Sequence, residues 1–325
     1  MGNRSVIPDA LRLWPGHTGN WSRWPNDHGA LNLLTREVAL RGLRAARTGE
    51  AIPCARPLQT AYPLGESPQA TMSVPAEPSP ASHQMTFVGD YGVVSKELGQ
   101  RPQVSFDRVT FNVHGLLNTH IDAFAHIGFK GYGFNGHAFE HMVTMDAGAM
   151  KCDVLDSLSI VTRGVFVDVP RKRGIARLAP GDYVRTDDIE EEAEQVRPGD
   201  AFIIRVGGTP SYIETLRSDG EPPRTRRALP GLHSDCVELL AKKDIAVLGS
   251  DSANDTYPNP SPELCQTPIH VLCLTFYGIP LVHNMDLDAL GEACATQDRN
   301  DFLFVINALN IPRGTGSLCT PLAVL

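Results

Sequence analysis

The chain has 325 residues, 42% hydrophobic and 20% charged, enough to bury a large core and near the upper end for one domain. Its 29 basic and 37 acidic residues give a formal charge of −8 with no basic block; that excludes the electrostatic footprint of a nucleic-acid or anionic-membrane binder and suits a small neutral or modestly polar substrate. No run reaches the roughly 18 to 20 apolar residues of a membrane span, no signal-peptide core opens the chain, and the seven scattered cysteines lack C-x-x-C pairs, so a soluble protein of the reducing cytoplasm is expected.

From Pro25 to Gly49, Leu31, Leu33, Leu34, Val38, Leu40 and Leu43 recur at helical spacing, and Thr35 ahead of Glu37 offers a start signal. We expect an amphipathic helix within an N-terminal extension covering about residues 1–60. From Pro63 to Ser82 the density of Pro, Ser and Ala predicts an irregular connection.

The segment "NTHIDAFAH", Asn118 to His126, comes next. With His114 it makes the pattern H-x5-H-x-D-x3-H, four groups able to bind a divalent metal or move a proton within thirteen positions. On an extended chain His120 and Asp122 project from one face. His114 would lie roughly 20 Å from His120 on a straight strand, so a bend is required, and Gly115 supplies one; His126 needs a similar bend. His137 and His141, spaced i, i+4, could share a helix face, with pocket lining favoured over ligation for His137.

Downstream, apolar β-rich runs recur at Arg163–Val169, Ala201–Gly208, Ile245–Asp251, Val271–Val282 and Phe302–Leu309. Helix-like stretches separate them at Thr186–Val196 and at Ser234–Asp244, the latter with a Ser or Asp cap. The alternation predicts an α/β fold in one compact domain, residues 1–325, with a mixed β-sheet core or barrel-like β layers and flanking helices. Arg205 could meet a substrate carboxylate or an internal acid. Asp251 and Asp255, just beyond a strand, could cap turns or orient a ligand histidine. "RGTGS", Arg313 to Ser317, could present backbone amides to an oxyanion or form a plain turn. No H-E-x-x-H, G-x-S-x-G or P-loop pattern competes.

These residues resemble the H-x-G-T-H-x-D-x-P-x-H signature of the metal-dependent cyclase/hydrolase family that includes bacterial kynurenine formamidase and isatin hydrolase. Thr119, His120, Asp122 and His126 match it directly, and "NWSRWPNDHGALNLLT", "PGLHSDCVELL", "VLGSDSANDTYP" and "TPIHVLCLTFYGIPLVHNMDL" resemble its longer-chain branch. Leu116 stands at the signature's first histidine, with His114 as the substitute, while Asn118 and Phe124 replace a glycine and a proline. The resemblance implies His270 as a later ligand and His126 as catalytic base. His283 stands where the formamidases have a bridging glutamate, so one divalent ion (Mn or Zn), held by His114, His120, Asp122 and His270, is the implied cofactor; His283 as an extra ligand stays open. The implied activity is hydrolysis of an amide, lactam, N-formyl group or lactone by metal-activated water, with a metal-dependent cyclase or dehydratase, or a non-catalytic binding relative, as alternatives. No organic cofactor is expected, and the resemblance also implies a homodimer or larger homo-oligomer. Trp21, Phe124, Phe129, Tyr132 and Phe134 are candidates for an aromatic wall or for ordinary core.

Overall fold

A computed structural model describes residues 19–58, 81–90, 103–208, 228–260 and 265–325. Nine strands form one curled mixed sheet: β1 (Ala51–Pro53), β2 (His120–Asp122), β3 (Ser159–Asp168), β4 (Ala201–Arg205), β5 (Val247–Ser250), β6 (Leu281–His283), β7 (Asp301–Asn307), β8 (Gly316–Leu318) and β9 (Leu322–Val324). Their spatial order is β1-β9-β7-β3-β4-β5-β6-β2-β8. The inner run β3-β4-β5-β6 is parallel, and every other pairing is antiparallel.

A parallel pair needs a crossover between its strands, and helices supply it. Helix α1 (Arg36–Ala45) precedes β2 and packs on β3 and β7; α2 (Thr186–Gln195) joins β3 to β4, α3 (Ser234–Lys242) joins β4 to β5, and α4 (Asp288–Thr296) follows β6. With helices on its faces the centre of the sheet is closed to water. Phe202, Ile203, Ile204, Val247 and Leu248 are accordingly fully buried, as parallel strands require.

Helix α1 starts where the sequence predicts. Thr35 accepts from the Val38 amide through its hydroxyl, satisfying one unpaired N–H of the first turn. Gly42 then lets the helix reach β3: a Cβ there would stand 2.5 Å from the Thr162 carbonyl.

Three expectations are corrected. Val271–Val282 is not one strand: after a helical turn at Pro268–His270 the chain runs as a π-helix over Val271–Tyr277, and only Leu281–His283 pairs in the sheet. All seven π-helical residues are buried, and an unbroken apolar run carries no period that separates a covered strand from a covered helix. Gly278 at φ 62 ends the helix in the left-handed region. Second, the cap of α3 is His233, which accepts from the Asp235 amide. Third, an antiparallel ribbon, Ser82–Asp90 with Gln103–Thr110, had no counterpart among the predicted strands. The predicted connection from residue 63 lies outside the described residues up to residue 80. No helix among the described residues is long and apolar enough to cross a membrane.

Candidate metal centre

Strand β2 lies between β6 and β8, and the two registers build the site. His120 faces His283 across the β2–β6 pair, while Asp122 faces Gly316 across β2–β8. The Asp122 side chain is fully buried, and five histidines close around it. His114 Nδ1 is 2.8 Å from Oδ1, and His120 Nε2 is 3.5 Å from the same oxygen. His283 Nε2 is 2.9 Å from Oδ2, with His270 Nε2 at 3.6 Å and His126 Nε2 at 3.8 Å.

Both predicted bends exist. The chain breaks at Gly115, at φ 127, and returns His114 to the carboxylate. A single 3-10 turn, Phe124–His126, swings His126 back so that its ring stacks on His114 at 3.7 Å. His120 and His270 each stack on His283, at 4.9 and 4.8 Å between ring centroids. The cluster meets ligand spacing twice: the donor atoms of His120, Asp122 and His283 lie within 4.8 Å of one another, and so do those of His114, Asp122 and His126.

Burial sets the electrostatics. It lowers the His120 pKa to about 3 and that of His126 to about 4, and it lowers His283 as well. Burial opposes ionisation of Asp122, but the surrounding His126, His283 and His114 hold its carboxyl well below the usual range. One carboxylate beside His120, His126 and His283, whose lowered pKa values favour the uncharged imidazole, is a donor set that suits a divalent ion.

The supporting groups are specific. His120 Nδ1 bonds the Asn118 carbonyl at 2.8 Å, and His270 Nδ1 bonds Asp255, whose carboxylate also accepts from the Ile269 amide at 2.7 Å. Asp255 is thus the acid that orients a histidine. Asp251 instead accepts from the Val206 and Gly207 amides at 2.8 Å each, and burial raises its pKa to about 6. Thr315 and Gly316 of "RGTGS" serve His114: the Thr315 hydroxyl is 2.9 Å from Nε2, and a Cβ at Gly316 would stand 2.7 Å from Cε1.

Other expectations fall elsewhere. His137 precedes the short helix Phe139–Met142, so it shares no helix face with His141; it bonds Asp27 at 2.9 Å, while His141 is exposed beside Glu140. Arg205 pairs internally with Asp168 at 3.0 Å and Asp288 at 2.8 Å. Trp21, Phe124 and Phe134 are core, whereas Phe129 and Tyr132 are half-buried on the loop after His126. Sequence reasoning missed Asn254, whose amide nitrogen is 2.9 Å from His283 Nδ1. The only signal was its place in "SDSANDTYP", a stretch already singled out by resemblance.

The cyclase family model matches residues 49–254, well over half the chain. The chain belongs to the cyclase family. A crystal structure of a novel cyclase superposes with a TM-score of 0.77 at 25% identity, covering 95% of this chain and all of its own. An isatin hydrolase bound to the product analogue thioisatinate gives 0.54 at 19% identity, covering 90% of this chain and 99% of its own. Isatin hydrolase A from Ralstonia solanacearum gives 0.52 at 15%, covering 84% and 91%. At these identities the two hydrolases show a shared fold. No curated protein matches the chain.

Proposed function

We propose that this cyclase-family member is a metal-dependent hydrolase that opens a carbon–nitrogen bond of a cyclic amide or an N-formyl amide, or the ester bond of a lactone. The observation that carries the reading is the convergence of five histidines on one fully buried carboxylate, Asp122. A fully buried acid ringed by five imidazoles is costly to assemble for stability alone.

Asp122, His120 and His270 would hold the ion, with His114 closing the side toward Thr315. When bound, a divalent ion supplies polarisation of a carbonyl and acidification of water. His126 is the general base. Among the described residues its ring makes no hydrogen bond, and its side chain is 24% exposed, the most open in the cluster after His114. Its lowered pKa keeps it uncharged at neutral pH, the form that takes a proton. Asp255 holds the His270 ring in place, and the Asn118 carbonyl does the same for His120, so both rings aim Nε2 inward.

The substrate is a small molecule. A homodimer and a cytoplasmic location complete the proposal. Protein stripped with a chelator and reloaded with Mn or Zn should regain turnover on a panel of cyclic amides, lactones and N-formyl anilines. Less than near-stoichiometric metal by elemental analysis would overturn the reading. The structural similarity to a novel cyclase favours, as a second reading, a cyclisation. Oxygen-18 from solvent separates the two, since hydrolysis places it in the carboxylate product and a cyclisation need not.

A further inference from the structure

His283 sits in the middle of the centre, and its distance from Asp122 is ambiguous. Two ligands of one ion, each about 2 Å from it and at right angles, lie roughly 3 Å apart, and so do the partners of a charge-assisted hydrogen bond. The 2.9 Å between His283 Nε2 and Asp122 Oδ2 fits both. The far side of the ring decides between them.

A histidine that ligates through Nε2 carries its hydrogen on Nδ1 and donates it to an acceptor. His120 does so toward the Asn118 carbonyl, and His270 toward Asp255. At His283 the group facing Nδ1 is the amide nitrogen of Asn254, at 2.9 Å, which only donates. The same nitrogen lies 3.1 Å from the Val282 carbonyl oxygen. Turning the amide over would set two carbonyl oxygens against each other there, and would leave its NH2 where Oδ1, buried and without a hydrogen-bond partner among the described residues, now stands. The amide orientation is therefore fixed, and with it the tautomer: Nδ1 accepts and Nε2 carries the hydrogen. Turning the ring over would put C–H groups where Nδ1 and Nε2 now meet Asn254 and Asp122, losing both hydrogen bonds.

We infer that His283 is not a ligand of the ion: its Nε2–H donates to Asp122 Oδ2, and Asn254 is the positioning residue that holds this tautomer. Both rest on the metal-centre reading above. The consequence is chemical. The residue that the resemblance aligns with the formamidases' bridging glutamate neutralises part of the Asp122 charge with a hydrogen bond and turns no lone pair toward the carboxylate with which to bridge two ions. One ion per chain is the expected content.

The test is nuclear magnetic resonance on the full-length, 15N-labelled protein, metal-free and loaded with cadmium-113, with the His283 signals assigned by their loss in His283→Gln. Splitting by cadmium is expected at Nε2 of His120 or His270, with none at His283, whose Nδ1 should show as the unprotonated nitrogen. Splitting at His283 Nε2, or two bound cadmium ions per chain, would overturn the inference. Failure to bind any cadmium would overturn the metal reading instead. The metal-free spectrum then still decides the tautomer: hydrogen on Nε2 supports the inference, and hydrogen on Nδ1 refutes it. In Asn254→Asp the new carboxylate accepts from Nδ1–H, so His283 should switch tautomer and gain the cadmium splitting. A folded Asn254→Asp protein in which Nε2–H persists removes the role assigned to Asn254.

Discussion

Gly316→Ala isolates how closely the strands around Asp122 are packed. Gly316 is buried in β8 opposite Asp122, and its φ lies outside the left-handed region, so alanine is acceptable to the backbone there. The added Cβ would stand 2.7 Å from His114 Cε1 and 2.8 Å from the Ile121 carbonyl oxygen. Ordinary contact begins at 3.4 Å, so the strand pair must open by about 0.6 Å or His114 must leave the carboxylate. The carbonyl belongs to a paired strand and cannot swing aside. Overpacking of this kind costs about 1–3 kcal/mol, which at roughly 2–4 °C per kcal/mol is a fall of several degrees in Tm. Displacing His114 should also weaken metal binding by roughly 10- to 100-fold, the usual loss when a group beside the metal is disturbed. Differential scanning calorimetry and a chelator competition read the two effects separately. A variant with wild-type Tm and wild-type metal affinity would refute the packing described here.

Three further outcomes follow from the same geometry. Asp255→Asn should weaken metal binding by roughly 10- to 100-fold, because it removes the carboxylate that orients His270, while the Ile269 amide keeps an acceptor; competition with a fluorescent chelator measures it. His126→Ala should lower kcat by roughly 10²- to 10⁴-fold with metal content unchanged, as expected for a lost general base, and metal loss alongside activity would place His126 among the ligands. Metal-free protein should lose stability as pH falls from about 6.5 toward about 4. The folded-state values of His120 and His126, about 3 and about 4, lie below the ordinary 6.5, so the unfolded chain binds the extra protons. Asp251 opposes this between about 4 and about 6, since its raised value makes the folded state the better proton binder there. Urea titrations across that range give the slope, and a flat or inverted profile would contradict the burial of these rings.

What could be read from the sequence is what depends on near neighbours. A two-residue step on an extended strand places His120 and Asp122 on one face, and both line the buried centre. Gly115 is the break predicted between His114 and His120, and Thr35 caps the helix it was expected to cap. The helices over Thr186–Gln195 and Ser234–Lys242 show their apolar period directly. His270 was singled out through resemblance, since nothing local in the sequence marks it as a member of the cluster around Asp122. The apolar run Val271–Val282 gives no such signal, because a segment buried on all sides carries no period that separates strand from helix.

The arrangement around His283 was decided by tertiary structure alone. His283 meets Asp122 across 161 residues and Asn254 across 29. Both contacts depend on β6 pairing parallel to β5 on one side and antiparallel to β2 on the other. A shift of one residue in either register would turn the imidazole to the opposite face of the sheet. Local spacing sets the direction of a side chain relative to its own strand, but strand register, which is not local, sets what that side chain meets.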